Sequence, residues 1–318
     1  MTGASSTGDI GYAVATQLEF LRELNDIKRL YALNLGSHSY ATRVFLGATE
    51  ALHQDKPLQA DVWCAAIVGA ARLGAMTPSV LQDIGIEKTG RVVVLRNSIL
   101  AQPSLSRPLS DTLTAACDQL EQICIEDTAD HPNWAVRLTA SPRAGATCPG
   151  KPRIALEPAE MHSDHCVMVA SYGFLLADIF GADREDAWLM GLCHHLHNAY
   201  LPDAGFTGEM LLGNHLDGVI KSLRLRALDG FSVQYRHRVS RLFDEINDLD
   251  SPLAQTFHAA DTIDRVVQME HYERAAQFTV ATALEEFNLV HEGAAQEFQH
   301  ALLRSIGISY KTTETTAS

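Results

Sequence analysis

Apolar residues recur at the spacing of an α-helix through most of the chain. Residues 13–35 show this period with charged residues between the apolar ones, and residues 40–53, 60–75 and 79–85 continue it. From about residue 158 to residue 308 nearly every segment repeats the same pattern. We therefore predict a mainly α fold, built as a helical bundle.

Three short segments depart from this pattern and favour β-strands. The β-branched run from Val92 to Val94, between Gly90 and Asn97, is the clearest. We expect a small β element between two helical parts, and we expect residues 140–152, with three prolines and two glycines, to be a linker. The three predicted strands cover residues 91–95, 134–139 and 153–156.

The two helical parts resemble each other, which predicts two related halves. His38 is followed by an apolar helix and, 25 residues on, by Trp63, while Trp188 follows His165 in the same way after 23 residues. A chance match of short segments is the alternative. The predicted domains are a first helical half at 1–90, a connecting region at 91–157, a second half at 158–308 and a disordered tail at 309–318.

Composition excludes several classes of protein. The 318 residues are 46% hydrophobic and 20% charged, which is typical of a globular protein and not of a disordered chain, collagen or a coiled coil. The formal net charge of −14 disfavours binding to nucleic acid or to an anionic membrane. We expect neither partner.

The cysteines and the N-terminus predict the compartment. The six cysteines include no Cys-x-x-Cys pair, so a disulfide framework is not expected. Residues 1–12 are small and polar, and no apolar run approaches the roughly 18 residues that a membrane span requires. We predict a cytoplasmic protein.

Histidine is concentrated in one short part of the chain. Five of the 14 histidines fall within residues 162–197. Neutral imidazole is the commonest side-chain ligand for transition metals, so this excess predicts a metal site. The five are His162, His165, His194, His195 and His197.

Three segments resemble the HD superfamily of metal-dependent phosphohydrolases. The segment from His165 to Ala170 is similar to the family's first helix, the segment Gly191 to Pro202 to its His-Asp signature, and Ala259-Ala260-Asp261 to its last ligand. Residues 18–80 resemble 5′-deoxynucleotidase-type members more weakly, with His38 at the first ligand position. The resemblance implies an HD-type bundle with His165, His194, His195 and Asp261 as metal ligands.

The sequence also departs from the family pattern. His195 replaces the defining Asp, and Asn198 stands where members have Lys or Glu. The resemblance then implies one divalent transition metal ion, namely Fe, Mn, Co, Ni or Zn. A second ion, bound by His215 and His237, is the alternative. The first half lacks both signature residues and is expected to be degenerate. His162, His197 and His258 are expected to lie next to the ligands.

The resemblance implies hydrolysis of a phosphomonoester or cyclic nucleotide, so the expected partner is a small phosphorylated substrate, with a nucleotide as one case. A cluster of basic residues after the signature provides candidate phosphate ligands, and an exposed helix face paired with acids is the alternative. The phosphate candidates are Lys221, Arg236 and Arg238.

Asp203 and Glu209 are weak candidates for a general acid. Family analogy also suggests a homodimer.

Two other functions remain open at this point. The altered signature is compatible with a catalytically eroded HD-fold module that binds a nucleotide or a partner protein. Some dinuclear family members are di-iron oxygenases, which is the second alternative. Stoichiometric metal binding separates an active site from an eroded one.

Overall fold

The computed structural model describes residues 7–31, 36–74, 76–122, 131–277, 279–285, 290 and 296–307. This part of the chain is mainly α-helical and contains no strand, only two isolated β-bridges. None of its helices is both long and apolar enough to cross a membrane. The predicted tail at 309–318 lies outside the described residues.

The chain divides into two compact units, residues 1–267 and 268–318. The first unit contains the metal-site candidates. Its helices begin with α1 (Thr7–Ala15), α2 (Leu18–Asn25), α3 (Tyr40–Gln54), α4 (Ala60–Leu73), α5 (Pro78–Asp83), α6 (Lys88–Leu100), α7 (Arg107–Ala116) and α8 (Asn133–Thr139).

The first unit continues with α9 (His162–Phe180), α10 (Arg184–Cys193), α11 (Gly205–Glu209), α12 (Leu216–Leu228) and α13 (Val233–Glu245). Helix α14 (Pro252–Gln277) begins in the first unit and ends in the second, which also contains α15 (Val280–Glu285) and α16 (Gln296–Ser305). Short 3-10 helices cover Asp26–Arg29, Cys117–Gln122, Leu196–Ala199 and Met210–His215.

Helix α9 is the centre of the first unit. Its residues from His162 to Ala177 are all buried, so it is covered on every side, by α3, α8 and α10 among others. Its sequence is apolar around the whole helix, as expected for a buried helix. Gly181 ends it in the left-handed conformation, at φ 77°.

The predicted strands at 91–95 and 134–139 are wrong. The first lies within α6 and the second within α8. Leu95 and Ile99 are buried one helical turn apart against the neighbouring helices, while Val93 is about half exposed. Burial at helical spacing therefore outweighs the β-propensity of the three valines. The third segment, 153–156, contributes one isolated bridge between Ala146 and Ile154.

The predicted linker at 140–152 packs against the second half. A bridge pairs Pro142 with Met161, and the backbone N–H of Arg143 donates to the Glu160 carbonyl at 2.8 Å. The backbone N–H of Ala144 donates to the carboxylate of Asp203 at 2.9 Å. This segment therefore forms one wall around the start of α9.

Helices α9 and α10 approach so closely that one position between them has no room for a side chain. A Cβ on Gly191 would lie 2.4 Å from the backbone nitrogen of Ala170. The contact brings the start of α9, which contains His165, to the end of α10, which precedes His194. Gly191 thus sets the distance between two predicted ligands.

Replacing this glycine tests the role of the close approach. We expect Gly191→Ala to lower the free energy of unfolding by about 1–3 kcal/mol, because the two backbones must separate. Gly218→Ala on the exposed side of α12, where a Cβ meets nothing within 4 Å, is the control. It should stabilise the protein by about 0.5–1 kcal/mol. Urea unfolding measures both, and equal stability of the two variants would contradict the packing argument.

Candidate metal centre

Three histidines from two neighbouring helix ends lie together. His165 is on the first turn of α9, and His194 and His195 directly follow α10. Their ring centroids are 4.2 Å apart for His194 and His195, 5.0 Å for His165 and His194, and 5.2 Å for His165 and His195. One nitrogen from each ring lies within 4.8 Å of the others. Such a group could hold a metal ion.

Helix α14 adds a carboxylate to this group. Oδ1 of Asp261 lies 3.2 Å from Nε2 of His165, and the Asp261 side chain is 18% exposed. Burial raises the pKa of Asp261, but the hydrogen bond and charge of His165 outweigh it and hold that pKa well below its usual range. The structure thus brings together His165, His194, His195 and Asp261.

Each of the three rings is oriented by a hydrogen bond at Nδ1. His165 donates to the carboxylate of Asp264 at 2.7 Å, and His194 donates to the Gly191 carbonyl at 2.6 Å. His195 donates to Oδ1 of Asn198 at 2.7 Å, while Nδ2 of the same Asn198 donates to the Leu201 carbonyl. These acceptors assign the Nδ1 proton in all three rings, which leaves Nε2 to face the shared centre.

The Nε2 atoms of His165 and His194 approach each other closely. Nε2 of His165 lies 3.1 Å from Nε2 of His194, and both rings already carry a proton at Nδ1. A proton on His165 can point at His194 or at Asp261, not at both. Burial, together with the charge of neighbouring histidines, lowers the pKa of His194 and of His195 well below the usual value. A divalent cation would serve all of these atoms at once.

A buried ion pair, Lys28 with Asp264, contacts the Nδ1 side of His165. Asp264 accepts from Lys28 Nζ at 2.8 and 3.0 Å and from Asn25 Nδ2 at 3.0 Å, in addition to His165. Lys28 also contacts Glu160. Burial lowers the pKa of Lys28, but the charges of Asp264 and Glu160 outweigh this and raise it. Although Glu160, His165 and Asp264 form a second group of ligand atoms, the ammonium of Lys28 already lies between their carboxylates.

Sequence reasoning missed Asp264, Lys28 and Glu160. Asp264 lies one turn after Asp261 on the same face of α14, so that spacing could have identified it. No local signal identifies Lys28, which is 236 residues from Asp264.

The histidines expected beside the ligands divide into two groups. The ring of His162 lies 4.9 Å from that of His195, and the ring of His197 lies 5.7 Å from it. Burial lowers the pKa of His162 to about 4 and that of His197 to about 3. By contrast, His258 is half-buried and donates to the Ile246 carbonyl at 2.9 Å.

The candidates for a second metal and for the phosphate are found elsewhere. His215 and His237 are exposed, and no group of ligand atoms among the described residues includes them. Arg238 donates to Asp186 at 2.6 Å, near the start of α10 and therefore roughly 12 Å along that helix from His194. Arg236 donates to the Leu228 carbonyl, and Lys221 is exposed on α12.

The two general-acid candidates lie close to each other. Oδ1 of Asp203 accepts from the backbone of Gly205, and its Oδ2 lies 3.7 Å from Nε2 of His162. Burial and the charge of Asp203 raise the pKa of Glu209. This raised pKa favours the protonated form of Glu209, which is the form that a general acid requires.

The buried pair behind the centre gives a stability prediction. Lys28→Met leaves Asp264 and Glu160 without their shared cation, so we expect the free energy of unfolding to fall by about 3–5 kcal/mol. Lys56→Met is the matched control, since Lys56 is 59% exposed and pairs with Glu50 at 3.5 Å. It should change stability by less than about 1 kcal/mol. A Lys28 variant as stable as the control in urea would contradict the account.

The chain matches no protein-family model, no curated protein and no solved structure. The function of the centre must therefore be inferred from its own geometry.

Proposed function

We propose that the chain is a metal-dependent phosphohydrolase of HD type that binds one divalent transition metal ion. The ligands in this proposal are His165, His194, His195 and Asp261. The observation that carries it is the convergence of one nitrogen from each of three imidazole rings, each ring being held by a hydrogen bond at Nδ1. Histidines that ligate a metal commonly donate their other ring N–H to a carboxylate or a carbonyl oxygen, as these three rings do.

The types of ligand atom restrict which metal ions can bind. Three imidazoles and one carboxylate suit Zn, Fe, Co, Ni or Mn, whereas Mg and Ca prefer sites made of oxygen ligands. A single ion is favoured because Lys28 fills the neighbouring carboxylate group and because His195 cannot bridge two ions as a carboxylate would. A site for a single ion disfavours a di-iron oxygenase, which needs two.

A divalent transition metal in this place would polarise a phosphoryl oxygen and lower the pKa of a bound water. The residues of the chain supply the rest. Asp264, Gly191 and Asn198 hold the three rings in position. Glu209 is the proposed proton donor to the leaving group, because burial and Asp203 raise its pKa. The proposed substrate is a phosphomonoester or a cyclic nucleotide.

Elemental analysis tests the proposal first. We expect about one transition metal ion per wild-type chain and almost none in the His194→Ala, Asp261→Ala double variant. The control is His237→Ala, an exposed histidine that should leave the metal content unchanged. Hydrolysis of p-nitrophenyl phosphate and bis-p-nitrophenyl phosphate, measured on the same samples, should follow the metal content. If reconstitution with Mn²⁺, Fe²⁺ and Zn²⁺ gives no bound metal, the binding-module alternative replaces this proposal.

Asn198 gives a second test that leaves all four ligands in place. We expect Asn198→Ala to weaken metal affinity by about 10–100-fold, because His195 loses its orienting acceptor. Asn198→Asp keeps an acceptor for His195 and should retain most of the affinity. Competition with a chromogenic chelator measures both. Equal affinities for the two variants would mean that His195 is not oriented through Nδ1.

A further inference from the structure

Beside the metal centre lies a group of buried polar atoms without a hydrogen-bonding partner among the described residues. The group comprises Nε2 of His162, Nδ1 of His197, Nη1 of Arg143 and Nε of Arg224. A buried polar atom without a hydrogen-bonding partner is destabilising, and a charged one more so. The charge of Arg143 acts on His162 and the charge of Arg224 acts on His197, so the four atoms belong to one neighbourhood. Four such atoms together indicate that a ligand satisfies them.

The ring of His195 joins this group to the metal centre. It lies 4.9 Å from the ring of His162, 5.7 Å from that of His197 and 4.2 Å from that of His194. His162 and His197 are 0% and 7% exposed, so both rings are well removed from water. Asp203, which faces His162, is partly exposed and marks the rim of the group.

The two arginines reach the group from separate elements. Arg143 belongs to the segment bridged to the residue before α9, and its Nε lies 3.6 Å from Glu160. Arg224 belongs to α12, which packs against the 3-10 helix that contains His197. The Cζ atom of Arg224 lies 4.3 Å from the centre of the Phe243 ring, in a cation–π contact.

The charge of the group favours an anion over a second metal ion. Guanidinium groups are donors only and cannot bind a metal. Two carboxylates contact this group. The oxygens of Asp203 already accept the backbone N–H groups of Gly205 and Ala144, and Glu160, 3.6 Å from Nε of Arg143, also contacts Lys28. Both carboxylates thus have other partners, and Nη1 of Arg143 and Nε of Arg224 are left as donors for an anion.

We propose that Arg143, His162, His197 and Arg224 form an oxyanion-binding pocket that takes the phosphoryl group of the substrate next to the metal centre. This assignment rests on the proposed hydrolase function for its substrate, although the pocket itself should bind inorganic phosphate without the metal. It replaces Lys221, Arg236 and Arg238 as the phosphate ligands.

The hydrogen bonds of the pocket fit a singly protonated phosphate. Arg143 and Arg224 donate from Nη1 and Nε, and Nδ1 of His197 is a third donor in the tautomer that carries its proton there. His162 already donates from Nδ1 to the Ser141 carbonyl at 2.9 Å, so its Nε2 accepts. Monohydrogen phosphate offers three oxygen acceptors and one hydroxyl donor, which matches these four side chains.

Calorimetric titration of inorganic phosphate into the full chain, dialysed against EDTA, tests the pocket. We expect one phosphate per chain, and we expect Arg143→Met and Arg224→Met each to weaken its binding at least tenfold. Arg238→Met, which removes an arginine paired with Asp186, is the control and should change phosphate affinity less than twofold. Sulfate has no hydroxyl to donate to His162 and should bind more weakly than phosphate.

Two further measurements distinguish the loss of a phosphate contact from poor folding of a variant. Arg224→Lys retains the charge but not Nε, so it should bind phosphate with intermediate affinity even if the Met variant is poorly folded. All arginine variants should keep one metal ion per chain when loaded. That outcome, with weakened phosphate binding, supports the pocket.

Other outcomes overturn the pocket or separate it from the hydrolase proposal. Absence of phosphate binding to the metal-free wild-type chain overturns the pocket and leaves the metal centre untouched. Loss of phosphate binding in Arg238→Met alone places the anion elsewhere and also overturns it. A second metal ion that disappears in His162→Ala shows a cation site instead. Phosphate binding to a chain that binds no metal supports the pocket while the hydrolase proposal fails.

Discussion

The hydrogen bond from His165 to the buried carboxylate of Asp264 ties together three distant parts of the chain. Asp264 comes from α14, His165 from α9, and Lys28 and Asn25 from the N-terminal helical segment. Removing two opposite charges from water is costly, and it is offset only when the geometry is good and the remaining polar atoms are satisfied. Both oxygens of Asp264 are satisfied here, so the carboxylate can fix the His165 ring within a dry interior.

The packing of α9 on α10 serves the same purpose by different means. Gly191 lets the backbones touch, and its carbonyl also accepts the Nδ1 proton of His194. One residue therefore sets both the distance between the helices next to His165 and His194 and the orientation of the His194 ring. Asn198, in the short 3-10 helix that follows His195, orients the His195 ring by accepting its Nδ1 proton. The site is rigid because its supporting groups belong to the core.

Local sequence patterns predicted the helical fold and the histidine cluster, and the resemblance to the HD superfamily implied the four residues that the structure brings together around His165. Candidate ligands near helix ends are recognisable at short range, such as His194 and His195 after an apolar run. The predicted strands failed because valine propensity was weighed without the burial of Leu95 and Ile99 at helical spacing. Lys28 and Asp264 pair across more than two hundred residues, so no window of the sequence contains both. The pairing of Arg238 with Asp186 likewise joins two different helices, so it is not visible within one local segment.

The pairing of Lys28 with Asp264 also constrains the protein during its synthesis. The two residues are 236 positions apart, so Lys28 is synthesised long before its partner. The entropic cost of closing a loop grows with the length of the loop, and this contact closes a long one. A chain that stops short of α14 lacks Asp264, and with it the acceptor for Nδ1 of His165 and one of the two carboxylates that pair with Lys28.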